Sequence, residues 1–418
     1  MKKTLIVLLL MLIPVMVFAV DFSYSGHFRT RGSQLTDPYL DNLAHGYEDI
    51  ISWTDYQLHL FTTAAINENL SMVWGVEVNG IWGNEDQNRD EITVMTKHLY
   101  MDFAPEMADW MHIRLGLQPY RDIFTSSIFD DDAVGVSLMP EWETADVSLG
   151  YYVFHDEEIA GLSNRFWTLD VSKSMNALTL KAAALMNKVY EAGALDNYSR
   201  LYIGAAADYA METMDFGGHF VYSTTSFDEE DGNPDMSGYF AYLYGKMDVT
   251  EKLSVKLNFG YTPGNLDFDN GSLSITTFEG ISPYFNPYGL EYLFVGSVMD
   301  FPVGNGSVFN TAGNTFDFYN GLMVFSANIT YDIFYLNAGF VNMVFDIENS
   351  PVPIPDFETN IGTEIDLGIK TQLTDGLDFC AVYALFMPGS FFEDEAWWGT
   401  DTDPKTVHEI SAKLQYNF

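Results

Sequence analysis

The sequence predicts an all-β fold: a transmembrane antiparallel up-and-down β-barrel of about 18 strands (16–18), with long acidic extracellular loops and short periplasmic turns. Three observations predict it. Alternating segments of about ten residues recur along nearly the whole chain, the breaks between them alternate between long and short, and the negative charge gathers in the long breaks.

The chain opens with "MKKTLIVLLLMLIPVMVFA", which reads as a secretory signal peptide over residues 1–19. A basic pair, Lys2 and Lys3, precedes an apolar run over 5–18 broken by Pro14, and Val17 and Ala19 sit where cleavage requires small residues. The run is shorter than the roughly 18 to 20 residues a spanning helix needs. Residues 20–418 are then expected to form one outer-membrane barrel. They hold one cysteine, Cys380, so an internal disulfide is excluded. The formal net charge of the 418 residues is −40, with 19 basic against 59 acidic side chains, which excludes a nucleic-acid partner because phosphate backbones demand clustered Lys and Arg.

The first segment, "FSYSGHFRTRG", sets Phe22, Tyr24, Gly26, Phe28 and Thr30 on one side and Ser23, Ser25, His27, Arg29 and Arg31 on the other. Strict period two is a strand with one greasy face and one wet face. "LSMVWGVEVNG", "WMHIRLGLQ", "LTLKAAALMN", "RLYIGAAADY" and "LSVKLNFGYT" repeat the theme. In order, segments begin near residues 22, 51, 70, 93, 110, 133, 146, 165, 177, 199, 215, 238, 253, 318, 333, 361, 377 and 405. The long breaks fall near 33–50, 83–92, 119–132, 156–164, 189–197, 227–237, 263–315, 345–360 and 390–404, and the intervening breaks are tight turns. The nine long breaks hold 36 acidic residues and two basic ones, Arg89 and Arg121. One rim is therefore decorated and acidic while the other is trimmed. A strand of about 9 to 11 residues crosses the bilayer, and no sheet edge can stay unpaired in hydrocarbon, so such a sheet must close.

The chain ends on "ISAKLQYNF", with Leu414, Tyr416 and Phe418 on the apolar side. With the leader and the strand pattern, this resembles the Gram-negative outer-membrane porin superfamily, in which such an end is a membrane-assembly signal read by the barrel-assembly machinery. More narrowly, "GLQPYRDIFTSSIFDDDAVGVSL" (116–138) and "GTEIDLGIK" (362–370) are similar to the alginate-export-like family of eighteen-stranded porins. That resemblance implies an electropositive lumen, which maps here onto inward Arg and Lys positions among which acids intrude.

Parity places His27, Arg29, Arg31, His112, Arg114, Lys181, Arg200, Lys256 and Lys370 inward, together with the acids Glu364 and Asp366. A mixed-sign polar lumen is the ordinary condition of a water-filled channel. The sharper expectation is a basic ladder, Arg29 and Arg31 with Arg114, facing acids across a narrow pore, since charged rings set selectivity. The third long break, "PYRDIFTSSIFDDD", is the candidate constriction: Ile123, Phe124, Ile128 and Phe129 are too apolar for a loop in open water, and Arg121 and Asp122 would line the narrowest point. The acid runs Asp130 to Asp132 and Asp228 to Asp231 lack the spacing of a calcium loop and read as a solvated rim.

No HExxH, nucleophile elbow or phosphate-cradling glycine loop is present, so neither an enzyme nor a cofactor or metal is expected. The expected function is passive diffusion of small polar or charged solutes, saccharides or anions among them, across the cell outer membrane. The partners are then outer-membrane lipid and lipopolysaccharide, the barrel-assembly machinery and the solute itself, with monomer and homotrimer both open. The competing classes are a secreted, soluble acidic β-protein that binds saccharides and a structural or adhesive surface protein with a closed lumen.

Overall fold

A computed structural model describes residues 20–36, 50–81, 93–157, 162–191, 197–227, 234–269, 272–281, 287–291, 321–350, 358–393 and 405–418. The expected signal peptide, the acid run 228–231 and the outer parts of most long breaks lie outside the described residues. Among the described residues twenty-one strands form in chain order: β1 Asp21–Thr36, β2 Ile50–Asn67, β3 Leu70–Ile81, β4 Thr93–Phe103, β5 Met111–Arg121, β6 Asp130–Trp142, β7 Ala145–Glu157, β8 Leu162–Met175, β9 Leu178–Glu191, β10 Tyr198–Ala210, β11 Met214–Phe227, β12 Met236–Asp248, β13 Leu253–Thr262, β14 Gly264–Asp269, β15 Ser272–Thr277, β16 Gly321–Tyr331, β17 Phe334–Val344, β18 Asp346–Glu348, β19 Asn360–Thr374, β20 Leu377–Pro388 and β21 Val407–Asn417. Eighteen of them, all but the short β14, β15 and β18, make the wall, and each begins within three residues of an alternating segment read from the sequence. Every wall strand pairs antiparallel with its neighbours, and β1 pairs with β21 from His27↔Asn417 to Thr36↔His408, so the sheet closes on itself.

The tight turns share the rim with both ends of the barrel. In the two-residue turns after β8 and β16, Asn176 (φ 53°) and Asp332 (φ 56°) take the left-handed region, which short polar side chains tolerate better than most. At the seam, the Gly26 N–H donates to the Phe418 carbonyl at 3.0 Å and the Phe418 N–H returns to the Gly26 carbonyl at 3.1 Å. Tyr416 and Phe418 stack at 6.0 Å on the outer surface, in line with outward-facing Leu414.

The two faces differ as period two demands. Trp74, Leu99, Ile203, Leu243, Leu367 and Ile410 stand exposed on the outside of their strands, while Arg31, Asp55, Glu77, Arg200 and Asp366 are buried inside the barrel. A closed barrel that turns its apolar side chains outward and its charges inward inverts the arrangement of a water-soluble fold.

Three departures from the sequence reading stand out. The third long break is shorter than expected, because Pro119↔Asp132, Tyr120↔Asp131 and Arg121↔Asp130 continue the β5–β6 ladder and leave only 122–129 as loop. The seventh break carries a hairpin, β14–β15, with β15 parallel to the start of β12 and β14 parallel to β18. Its sequence "NLDFDNGSLSIT" alternates around an Asn-Gly pair, a hairpin signal that a single long break conceals. Finally, the β3–β4 register shifts between Gly75 and Val76, so that Gly75 pairs with His98 and Val76 with Thr96. Lys97 is the extra residue of a β-bulge and escapes the parity rule.

Candidate functional site: the inward loops and the charged lumen wall

Loop 122–129 folds into the barrel. Asp122 drives it: its Oδ1 accepts the Phe124 N–H (2.6 Å), and its Oδ2 accepts those of Ile128 (2.7 Å) and Phe129 (2.8 Å). Burial pushes this carboxyl up to about 6, opposed by the same three N–H groups. Phe124, Ile128 and Phe129 are at most 1% exposed. Phe129 packs 4.7 Å from Phe166 of β8 and 5.8 Å from Tyr120 of β5, and Tyr152 of β7 stacks on Phe166 at 4.9 Å. Phe124 reaches as far as His219 of β11, 5.8 Å away, over Gly204 of β10, where an added Cβ would stand 2.7 Å from the Phe124 ring. The four apolar residues that made this segment too greasy for open water thus anchor it to the wall. Arg121 is mostly exposed and pairs with Asp130 at 2.8 Å. Asp122 is turned into the backbone of its own loop instead of toward the lumen water, which alters the role expected of it at the narrowest point.

A second inward segment meets the first. The Ile281 N–H donates to the Ile128 carbonyl at 2.8 Å, tying the seventh break to the third loop. Arg200 pairs with Glu279, and the Tyr202 hydroxyl donates to the Glu279 carbonyl at 2.7 Å. Further on, the Tyr288 carbonyl accepts from Ser326 Oγ (2.9 Å) and Asn328 Nδ2 (2.7 Å), and the Gly289 carbonyl from Asn337 Nδ2 (2.6 Å). Gly289 has φ +74°, a conformation that suits glycine. Lys256 Nζ donates to the Pro287 carbonyl at 3.3 Å, and the Glu291 N–H to Asp366 Oδ2 at 3.3 Å, with Glu364 and Asp366 both at 0% exposure. Arg200, Lys256 and Asp366, expected to line open water, therefore hold this segment to the wall, and Glu364 is enclosed with them. Beside it, Leu290, Phe386, Phe391, Phe392 and Val407 form an apolar core inside the barrel.

The early strands carry charges in adjacent pairs. Arg31 forks onto Asp55 through Nε (2.9 Å) and Nη2 (2.8 Å), and Arg114 onto Asp102 (2.8 Å) under a contact with the Tyr100 ring at 4.8 Å. Both pairs are direct cross-strand neighbours, Arg31↔Asp55 and Arg114↔Asp102. The acids expected across the pore therefore stand one strand away, and no one-sided basic ladder results. Arg29 is buried on β1, opposite Gln57 and Gln415. His27 lies 4.5 Å from His59, which bonds Glu77 at 2.9 Å. The bulged Lys97 joins Glu77 (3.3 Å) to Asp132 (3.1 Å), and His98 also binds Asp132 at 2.9 Å. Sequence reading passed over Lys97 and placed Asp132 in a loop; an alternation that breaks at Lys97-His98 was the available signal. Lower on the wall, His112 bonds Glu141 at 2.8 Å and Lys181 pairs with Asp208 at 2.9 Å. Lys370 lies in register with Cys380, and Cys380 with Lys413. Asp130, Asp131 and Asp132 alternate along a strand, so their carboxylates do not converge, and among the described residues no three His, Cys, Asp or Glu side chains are placed to hold a metal ion.

Among the described residues, two cavities lie against these walls. One of about 640 Å³ runs beneath the third loop along β4 to β8, from Glu141 near the tight-turn rim to Tyr120 and Ile123. The other, about 510 Å³, lies between Asp122, Lys181 and Pro287.

A closed barrel of eighteen antiparallel strands, apolar outward and charged inward, with loops folded into its bore, has the architecture of the Gram-negative outer-membrane porins, and the outer membrane is where its apolar belt finds a solvent. Solved structures share it. OccK8 (OprE) of Pseudomonas aeruginosa matches with a TM-score of 0.57 at 11% identity, over 95% of this chain and 98% of that one. OccK11 (OpdR) of the same organism matches at 0.52 and 8% over 95% and 96%, and OprD, also from that organism, at 0.50 and 11% over 94% and 93%. At these identities the likeness is one of fold. No protein-family model and no curated protein sequence matches the chain, so the alginate-export-like resemblance finds no counterpart.

Proposed function

We propose that the protein is a passive outer-membrane channel for small polar solutes. The observation that carries this reading is the cavity of about 640 Å³ inside the barrel, which reaches from the tight-turn rim to the third loop and whose lining includes ion-paired and hydroxyl side chains. Water and small polar solutes find hydrogen-bonding partners along such a wall. Selectivity in this reading comes from a mixed-sign lining, to which His27, Arg29, Arg31, His112, Arg114 and Lys181 contribute beside their acids. Export of a polyanion such as alginate asks for a basic surplus, and Arg31, Arg114 and Lys181 each already face a carboxylate. Residues 1–19 act as the export signal, and Leu414, Tyr416 and Phe418 as the mark read by the barrel-assembly machinery.

The purified barrel in planar lipid bilayers should give stable stepwise conductance, and liposomes carrying it should swell faster in a small sugar than in a large one. A barrel that inserts but never conducts overturns the channel. One observation favours that second reading, a structural protein with a closed lumen: the hydrogen bond from Ile281 to Ile128 joins the two inward segments into one obstruction.

A further inference from the structure

The floor of the larger cavity carries a patch that neither loop uses. On β7 and β8, Asp146 lies opposite Ser172 and Ser148 opposite Asp170, so four polar side chains form a two-by-two square with the acids on its diagonal. All four line the cavity. Its other charged groups are matched: Arg114 with Asp102, His112 with Glu141, and Arg121 with Asp130. Asp146, which is exposed, accepts the Ser172 hydroxyl at 3.3 Å. Asp170 is 9% exposed; its Oδ2 accepts the Tyr120 hydroxyl at 3.2 Å, and its Oδ1 has no hydrogen-bond partner. Among the described residues no basic side chain forms an ion pair with Asp146 or Asp170.

We propose that this square is a subsite for a small organic ammonium cation on its way through the channel. A buried carboxylate without a cation is costly, and a positive ligand in the cavity removes that cost. An ammonium group has three donors and no acceptor, which suits the carboxylates of Asp170 and Asp146 and a serine hydroxyl. Diagonal neighbours across two strands stand roughly 7 to 8 Å apart at the backbone, close enough for two carboxylates to share one such group. The Tyr120 hydroxyl holds Asp170 through Oδ2 at 3.2 Å, and the side chains of Ile123 and Met139 on the same cavity offer an apolar stem a place to lie. Two carboxylates are too few for calcium, which takes six to eight oxygen ligands. An anion would be repelled by these acids, and a neutral alcohol would bring no charge to the buried Asp170.

The inference rests on the channel reading, and the test separates the two. Detergent-solubilised barrel is titrated calorimetrically with three probes of one shape: n-butylammonium, n-butanol and butyrate. Saturable binding of butylammonium alone, weakened at least tenfold by Asp170→Asn and by Asp146→Asn, is the expected result. Equal binding by either variant, or butanol or butyrate bound as tightly, overturns the subsite. If Asp170→Asn loses the heat-modifiable gel band of the folded barrel, Asp146→Asn decides alone. Conductance of the same preparation is recorded in parallel. A barrel that binds butylammonium without conducting keeps the subsite and loses the channel, and one that conducts without binding keeps the channel and loses the subsite.

Discussion

Asp122 and Phe129 hold each other twice across the third loop: the Asp122 N–H donates to the Phe129 carbonyl at 3.0 Å, and the Phe129 N–H donates to Asp122 Oδ2 at 2.8 Å. With Phe124 and Ile128 on the same carboxylate, one side chain closes the whole turn. Asp122→Ala leaves three buried N–H groups without acceptors, each costing about 1–3 kcal/mol. The wall strands keep their own ladders, so the loop is expected to leave the lumen while the barrel persists. Single-channel conductance should rise by about twofold or more with an unchanged heat-modifiable gel shift; unchanged conductance means that the loop does not narrow the path.

The same carboxyl makes loop docking depend on pH. Burial raises it from 3.8 to about 6, so between those values the docked loop keeps a proton that the undocked loop releases. The docked state therefore binds more protons, and its stability falls as pH rises through that window and levels off above about 6. The shift corresponds to about 3 kcal/mol at most. Oδ2 accepts two N–H groups and Oδ1 one, so a proton on Oδ1 leaves all three bonds possible. Conductance is expected to rise from pH 4 to pH 6 in the wild type, and Asp122→Asn should lack that component. An equal rise in the variant places the titrating group elsewhere.

The wall was legible because lipid outside and water inside impose one rule on every second residue, so "LSVKLNFGYT" could be sided without any tertiary knowledge. Lys97 was not legible, because a bulge inserts one residue and resets the alternation. The inward turn of 122–129 showed in Phe124 and Phe129, whose burial needs a surface to meet. The docking of 287–291 did not show, since it works through the carbonyls of Tyr288 and Gly289, which every sequence has, received by Asn328 and Asn337 on strands far along the chain. Charges could be placed inside by parity, but whether Arg31 faces Asp55 beside it or an acid across the pore depends on register, and register follows turn geometry and strand pairing.

Arg31 and Asp55 form a buried pair with side chains 6% and 10% exposed. Removing one partner strands a charge inside the wall. Arg31→Met is expected to destabilise the barrel by about 3–5 kcal/mol, and Arg31→Met with Asp55→Leu to recover most of that, because an apolar pair leaves no charge to solvate. Heat-modifiability midpoints for the two singles and the double form the cycle that checks it. Additive losses mean that the two side chains do not interact across β1 and β2.

Ile203 and Tyr202 are consecutive in β10, with Ile203 53% exposed and Tyr202 fully buried. Ile203 is near the middle of its 13-residue strand, with Ala184 and Tyr222 as cross-strand neighbours, so its side chain meets the hydrocarbon near mid-depth. Arginine at the midplane of an outward barrel position costs about 2–4 kcal/mol. Ile203→Arg is therefore expected to lower the unfolding free energy in lipid vesicles by that amount and to cut the folded yield in membranes, while Ile203→Leu leaves both within error. Refolding in detergent micelles, whose shell deforms around a charge more readily than a bilayer, should show a smaller loss. If Ile203→Arg folds into vesicles as well as the wild type, the outward face of β10 is wet and the membrane belt does not pass through it.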